Sequence, residues 1–287
     1  AYTDKIKNNK FSIRNFLINR ILRIYPAYFL ALVLTLGAHY LTKPFLSSIW
    51  SRFSFEVLMI QSWFYPGSMN YPGWSVSNEF FFYITFAFLI LPFALLRRNK
   101  KLILIVSFLI LSLIVSLVFS AIANDQNNML LKGYMTQSPL IRVIIFWTGV
   151  YIGYLHTQLI AFKVWETLTL IGLSVALFYL NTYLQNGFGI LPKDLALILL
   201  YFVSMNVLAK SVLIESIMKI NFMKVLGDIS YGIYIFQCPI AVIYFYLTNE
   251  NKTTYNFIGY ITVLLLFSFL IDKLLENPIK QIKNKVS

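Results

Sequence analysis

Long apolar runs separated by short, mostly basic clusters dominate this chain. A helix needs about 20 apolar residues to cross the hydrocarbon core of a bilayer. Eight stretches reach or approach that length: 24–41, 74–96, 102–123, 143–162, 167–184, 191–209, 229–248 and 255–271. A ninth, 53–65, is about half a span long and contains Glu56. It reads as re-entrant or interfacial, because lipid satisfies neither a broken backbone nor a lone carboxylate. No linker, low-complexity tract or internal repeat interrupts the pattern. The expected fold is all-α: a polytopic transmembrane helical bundle of about eight spans with one re-entrant segment, forming a single domain over residues 1–287.

The loop charges agree with eight spans and with both termini in the cytoplasm. One side collects the basic residues of 5–23, of 97–101, Lys163, those of 210–224 and those of 273–285, which is 18 of the 24. The other side holds Lys43, Arg52, Lys132, Arg142, Lys193 and Lys252. A three-to-one bias of this kind is the positive-inside signature. Counting 53–65 as a full span would break the alternation by placing 97–101 outside.

Composition narrows the class. Only 12% of residues are charged and 59% are hydrophobic, against about 25% charged in soluble domains. The net charge of +13 would suggest nucleic acid in a soluble protein. Here the basic residues flank apolar runs, so they are topology signals and no nucleic-acid partner is expected. The lone cysteine, Cys238, allows neither an internal disulfide nor a cysteine-based metal site. His39 and His156 fall in different spans and near opposite faces, so no shared metal site is expected. No cleavable signal peptide is visible at the polar, basic start. The chain begins at Ala1 rather than Met, which raises the possibility of a fragment.

Two segments carry candidate chemistry. Arg20 and Arg23 open the first span three residues apart, hence on one helix face. They read either as snorkelling membrane anchors or as a phosphate clamp, since guanidinium forks match phosphate oxygens in pairs. The segment Pro72-Gly-Trp74-Ser75-Val-Ser77-Asn-Glu79 opens the second span. Pro and Gly suit a helix start, and Ser75 or Ser77 could cap it. Glu79 then lies in the opening turns, followed by three phenylalanines. An intramembrane carboxylate is a functional candidate, the alternative being a charge held by the helix N-terminus.

Four segments in order resemble the acyltransferase 3 family of integral-membrane O-acyltransferases. They are Arg20-Ile-Leu-Arg23-Ile-Tyr-Pro26-Ala-Tyr28; Trp74-Ser75-Val-Ser77-Asn-Glu79-Phe; Arg142-Val-Ile-Ile-Phe146-Trp-Thr-Gly149; and Leu226-Gly227-Asp-Ile-Ser230-Tyr231-Gly-Ile-Tyr234 with a closing Leu275-Glu276-Asn-Pro278. The resemblance implies ten spans in a full-length member, so the chain looks truncated by two N-terminal helices. In the family the first of those carries an essential histidine. Gln237 stands where many members have histidine before a proline.

The resemblance also implies an activity: transfer of an acyl group, most often acetyl, from acyl-CoA to a hydroxyl of a surface carbohydrate or similar acceptor. Arg20 and Arg23 would hold the donor phosphates. Glu79, Ser75, Ser77 and Trp74 would order the acceptor or assist proton transfer. Acyl-CoA is a substrate, and no bound cofactor or metal is implied. The setting is the cell membrane, with lipid, acyl-CoA and a carbohydrate acceptor as partners. A flippase or transporter for a lipid-linked sugar fits the same basic bundle but does not account for four ordered motifs; a third reading is an inactive remnant of a truncated gene. On the loop-charge topology Arg20 and Arg23 lie at the inner face and Glu79 near the outer one. Their joint action would then need a deep cleft through about 30 Å of hydrocarbon.

Overall fold

The computed structural model describes residues 11–42, 49–65, 67–97, 137–155, 211–248 and 253–279, with isolated positions elsewhere. All elements among these are helical. They are α1 (Ile13–Thr42), α2 (Ile49–Val57), α3 (Gln61–Phe64), α4 (Gly73–Leu95), α5 (Pro139–Leu155), α6 (Val212–Met218), α7 (Asn221–Leu247), α8 (Thr254–Ile271) and a π-helical turn, Asp272–Glu276.

Four helices among the described residues are long and apolar enough to cross a membrane: Ile13–Thr42, Gly73–Leu95, Asn221–Leu247 and Thr254–Ile279. They cover the expected spans 24–41, 74–96, 229–248 and 255–271. The expected span 143–162 falls partly on α5. Those at 102–123, 167–184 and 191–209 lie outside the described residues, apart from isolated positions.

The chain divides into two compact units, one of residues 2–90 with 225–287 and one of residues 91–224. The first is held on α1. Its buried positions Phe16, Ile24, Ala27, Tyr28, Ala31, Leu32, Thr35 and Ala38 recur at helical spacing, while Ile18, Ile21, Phe29 and Val33 stay exposed. In a lipid-embedded bundle that division separates a packed stripe from a lipid-facing one. Ile24, Ala27, Tyr28 and Ala31 share a core with Val76 of α4, Ile235, Phe236 and Ile240 of α7, and Leu264 of α8. α7 and α8 meet closely where Gly232 faces Ser268: a β-carbon at 232 would lie 3.2 Å from the serine Cβ. Small residues at such a seam let helix backbones approach where no hydrophobic drive separates protein from lipid.

Residues 49–65 form two short helices, α2 and α3, turned at Met59 with φ 55°. Nine residues of helix rise only about 14 Å, so α2 is too short to cross, in keeping with the non-spanning reading. The turn is tied to its neighbours by named bonds. Tyr28 Oη donates to the Glu56 carbonyl at 2.8 Å. Gln61 Nε2 donates to Tyr28 Oη at 3.2 Å and to the Gly73 carbonyl at 2.9 Å. Ser62 Oγ donates to the Trp74 carbonyl at 2.9 Å.

These ties place the start of α4 beside Tyr28, fifteen residues beyond the start of α1 at Ile13. α4 therefore begins partway along α1. It also begins at Gly73, so Ser75 and Ser77 lie inside the helix. The Ser75 hydroxyl donates back to the Pro72 carbonyl at 2.9 Å and does not serve as an N-cap acceptor.

The same loop repairs a break in α7. Pro239 lies inside that helix; having no N–H, it leaves the carbonyl four residues earlier, that of Ile235, without its helical donor. Asn70, fully buried, supplies one: its Nδ2 donates to Ile235 O at 2.9 Å. In the other unit, Lys101 is buried and its ammonium donates to the Ala94 carbonyl at 3.0 Å, near the end of α4 and over the Phe93 ring. A cation suits the negative end of a helix dipole.

Candidate active site

Arg20, half-buried on α1, has its guanidinium carbon 5.2 Å from the Phe16 ring centroid and 5.0 Å from that of Tyr83 on α4. Guanidinium groups stack on aromatic faces because the ring quadrupole attracts the cation and Arg is only weakly hydrated. Tyr83 is also bound from its other end, where its hydroxyl donates to Glu79 Oε1 one turn earlier on α4. The charges of Glu79, Arg20 and Arg23 all act on that hydroxyl. α7 closes the group: Tyr231 Oη donates to the Ile24 carbonyl at 2.9 Å and lies within electrostatic reach of Glu79 and Glu276.

Beside this cluster lies a cleft of about 270 Å³ lined by Leu22, Arg23, Gly227, Asp228, Ser230, Tyr231, Glu276 and Ile279. Arg23 is exposed there, while Arg20 is held in its aromatic stack.

This arrangement overturns the expected separation of Glu79 from the arginines. Arg20 lies eight residues from Tyr28 on α1, and Tyr83 lies ten from Gly73 on antiparallel α4, about 12 and 15 Å of helix. Because the re-entrant segment sets the start of α4 beside Tyr28, Glu79 falls level with Arg23 and Ile24. No reach across the whole bundle is needed to join them.

The other named residues divide by helix geometry. Ser75 and Glu79, four apart, share a face; Ser75 Oγ lies 2.6 Å from Tyr234 Oη on α7. Trp74 and Ser77 fall on another face of α4, the one that meets α3 through Ser62 and Trp63, and Ser77 is fully enclosed. Arg142 and Phe146 lie on α5 in the other unit, where the neighbouring Trp147 packs on Phe93 at 5.4 Å.

Tyr83 was not singled out in the sequence, although it stands at the i+4 position from Glu79, and Tyr231 and Tyr234 entered only as members of the fourth motif segment. His39 lines a second cavity of about 300 Å³ with Thr35, Thr42, Met69, Tyr71, Cys238 and Pro239. His156 lies outside the described residues.

Away from the cluster, Glu56 is fully buried in the re-entrant turn. Its carboxylate accepts from the Met69 and Asn70 backbone N–H groups and from Tyr65 Oη. Burial dominates those bonds and pushes its pKa up from 4.5 to about 7; the Tyr65 hydroxyl is pushed up too, by burial and then by the Glu56 charge. A raised folded-state pKa contributes stability that is full below pH 4.5 and is lost as pH rises to about 7. The melting temperature of the purified protein is therefore expected to fall across that window. Glu56→Gln, which keeps an acceptor oxygen, should flatten the fall and melt higher than the parent at pH 8. A parent curve that rises from pH 5 to 7, or a Gln variant with the parent's slope, would contradict this.

The chain belongs to the acyltransferase 3 family: the family's acyltransferase-domain model matches residues 6–273. It is thus a multi-pass membrane protein of an acyltransferase family. None of the curated proteins compared matches it, and none of the solved structures does. Arg20 and Arg23, Glu79, Tyr231 and Glu276 come from three of the four motif segments, far apart in sequence, and gather around one point of one compact unit.

Proposed function

We propose that this protein moves an acyl group, acetyl in the simplest case, from acyl-CoA to a hydroxyl of a surface carbohydrate or similar acceptor at the cell membrane. The observation that carries the reading is the convergence of Arg20, Arg23 and Glu79 on one polar cluster beside the cleft.

The chemistry needs cations for the CoA phosphates, a group that helps remove the hydroxyl proton, and donors for the thioester oxyanion. In this reading Arg23 meets phosphate in the cleft and Arg20 adds charge from its aromatic stack. Glu79 orders the acceptor or assists proton transfer, with Ser75 on its face and Tyr234 beside it. Trp74 and Ser77 support that helix from the side of the re-entrant turn. Both termini lie in the cytoplasm, which puts the arginine end where cytosolic acyl-CoA is met.

The test is binding of acetyl-CoA to detergent-purified protein together with transfer of radiolabelled acetyl groups to glycans of the same membranes. Arg20→Ala and Arg23→Ala are each expected to weaken CoA binding about tenfold or more, the scale of a lost charge-assisted hydrogen bond. Lysine at either position should restore only part, because the paired fork is lost. Unchanged CoA affinity in both alanine variants would leave the arginines as membrane anchors. Movement of a lipid-linked sugar across the bilayer without acetyl transfer would replace the enzyme reading with a flippase.

A further inference from the structure

We infer that Tyr83 is a positioning residue that joins the donor-binding side of the site to Glu79, its ring serving Arg20 and its hydroxyl serving the carboxylate. The inference rests on the donor role proposed for Arg20 and goes beyond it, because Tyr83 belongs to none of the groups that would meet substrate in that reading.

The geometry is specific about the division of labour. The Arg20 guanidinium lies over the Tyr83 ring face at 5.0 Å, with Phe16 on its other contact at 5.2 Å. Phe16 and Tyr83 are themselves set edge to face, centroids 6.0 Å apart and planes at 85°. The cation is thus supported by two rings that hold each other. A guanidinium so placed has less rotamer freedom to lose when an anion arrives, which favours binding without any direct contact from the tyrosine. The hydroxyl at the far end of the same ring donates to Glu79 Oε1. A donor fixed on one carboxylate oxygen leaves the other oriented, so the position of Glu79 depends on the ring that carries Arg20.

Glu79 and Tyr83 lie four residues apart on one helix, where side chains of that spacing meet naturally. A merely structural pairing would therefore affect folding alone, whereas a positioning role separates binding from turnover.

Three variants make that separation measurable in the full chain, using acetyl-CoA as the probe and acetyl transfer to the membranes' own acceptors as the rate. Tyr83→Phe keeps the ring and loses the hydroxyl. It is expected to hold CoA affinity within about twofold while the transfer rate per folded molecule falls about tenfold or more, the loss expected for a hydrogen bond to a charged group. Tyr83→Leu removes both and should also weaken CoA binding about three- to tenfold, the range of a partly desolvated cation–π contact. Tyr83→Phe placed on Glu79→Gln should cost almost nothing further, because the hydroxyl acts only through the carboxylate.

A Tyr83→Phe variant with the parent rate, or one that loses CoA affinity as Tyr83→Leu does, would overturn the inference. So would a Tyr83→Phe variant that merely lowers the yield of folded protein. Failure here is distinguishable from failure of the donor reading. If Arg20→Ala binds CoA normally, the donor site itself is wrong. If Arg20→Ala weakens binding and Tyr83→Leu does not, only the role of Tyr83 is wrong.

Discussion

Glu79→Gln is expected to reduce acyl transfer at least about a hundredfold, the usual scale for losing a group that assists proton transfer, while membrane insertion and abundance stay near normal. Glutamine keeps the shape and an acceptor oxygen, so Tyr83 can still donate to it. What disappears is the charge and the capacity to take a proton. The competing view is that Glu79 is a carboxylate stabilised at a helix start. That view predicts the reverse pattern: lower abundance or thermal stability, with activity per folded molecule almost intact. The structure gives the carboxylate a partner in Tyr83 and places it beside two arginines, more than a helix start requires. Acyl-transfer rate per mole of correctly folded, detergent-purified protein decides between them. A glutamine variant at near-parental rate would remove Glu79 from the site.

Asn70→Ala is expected to destabilise the fold markedly although it removes little apolar surface. The carbonyl of Ile235 has lost its helical donor to Pro239, and the Asn70 amide replaces it. Without that amide a buried acceptor is unpaired, at a cost of about 1–3 kcal/mol. The cause can be isolated by a second change. Pro239→Ala restores a backbone N–H at the position that would bond Ile235 O, so the double variant should recover much of the loss. Thermal unfolding in one detergent, followed by the folded fraction on size exclusion, gives all four corners of the cycle. If Asn70→Ala alone melts with the parent, or if Pro239→Ala brings no relief in its background, the repair described for α7 is wrong.

Much of this was legible in the pattern of apolar runs. The spans that became α1, α4, α7 and α8 stand where hydropathy placed them, because twenty apolar residues leave a chain few alternatives in lipid. The half-length stretch around Glu56 folds as two short helices and not as one long one, in keeping with its short apolar run and its carboxylate. What the pattern missed was depth. Loop counting assigns each helix end to a membrane face, and on that count Glu79 belonged near the outer one. The bonds from Tyr28, Gln61 and Ser62 that set the start of α4 beside the middle of α1 join residues 12 to 28 positions apart, and no periodicity encodes them. The arginines and Glu79 were legible as residue types out of place in apolar segments. Tyr83 was not, because in a chain with 19 tyrosines an aromatic ring in a span is ordinary, and Tyr231 stood out only through the motif that contains it.

The order of the motifs along the chain also bears on biogenesis. Arg20 lies on α1 and Glu79 and Tyr83 on α4, within residues 20–83 of the sequence, so the arginine, the aromatic rings and the carboxylate can meet once α4 has followed α1 into the membrane. Tyr231 and Glu276 arrive only after residues 84–230 have been made. The cleft that they line with Arg23 is therefore completed only after the contacts between α1 and α4 can form. On the proposed reading, a nascent chain can be inserted well before it is able to bind a donor.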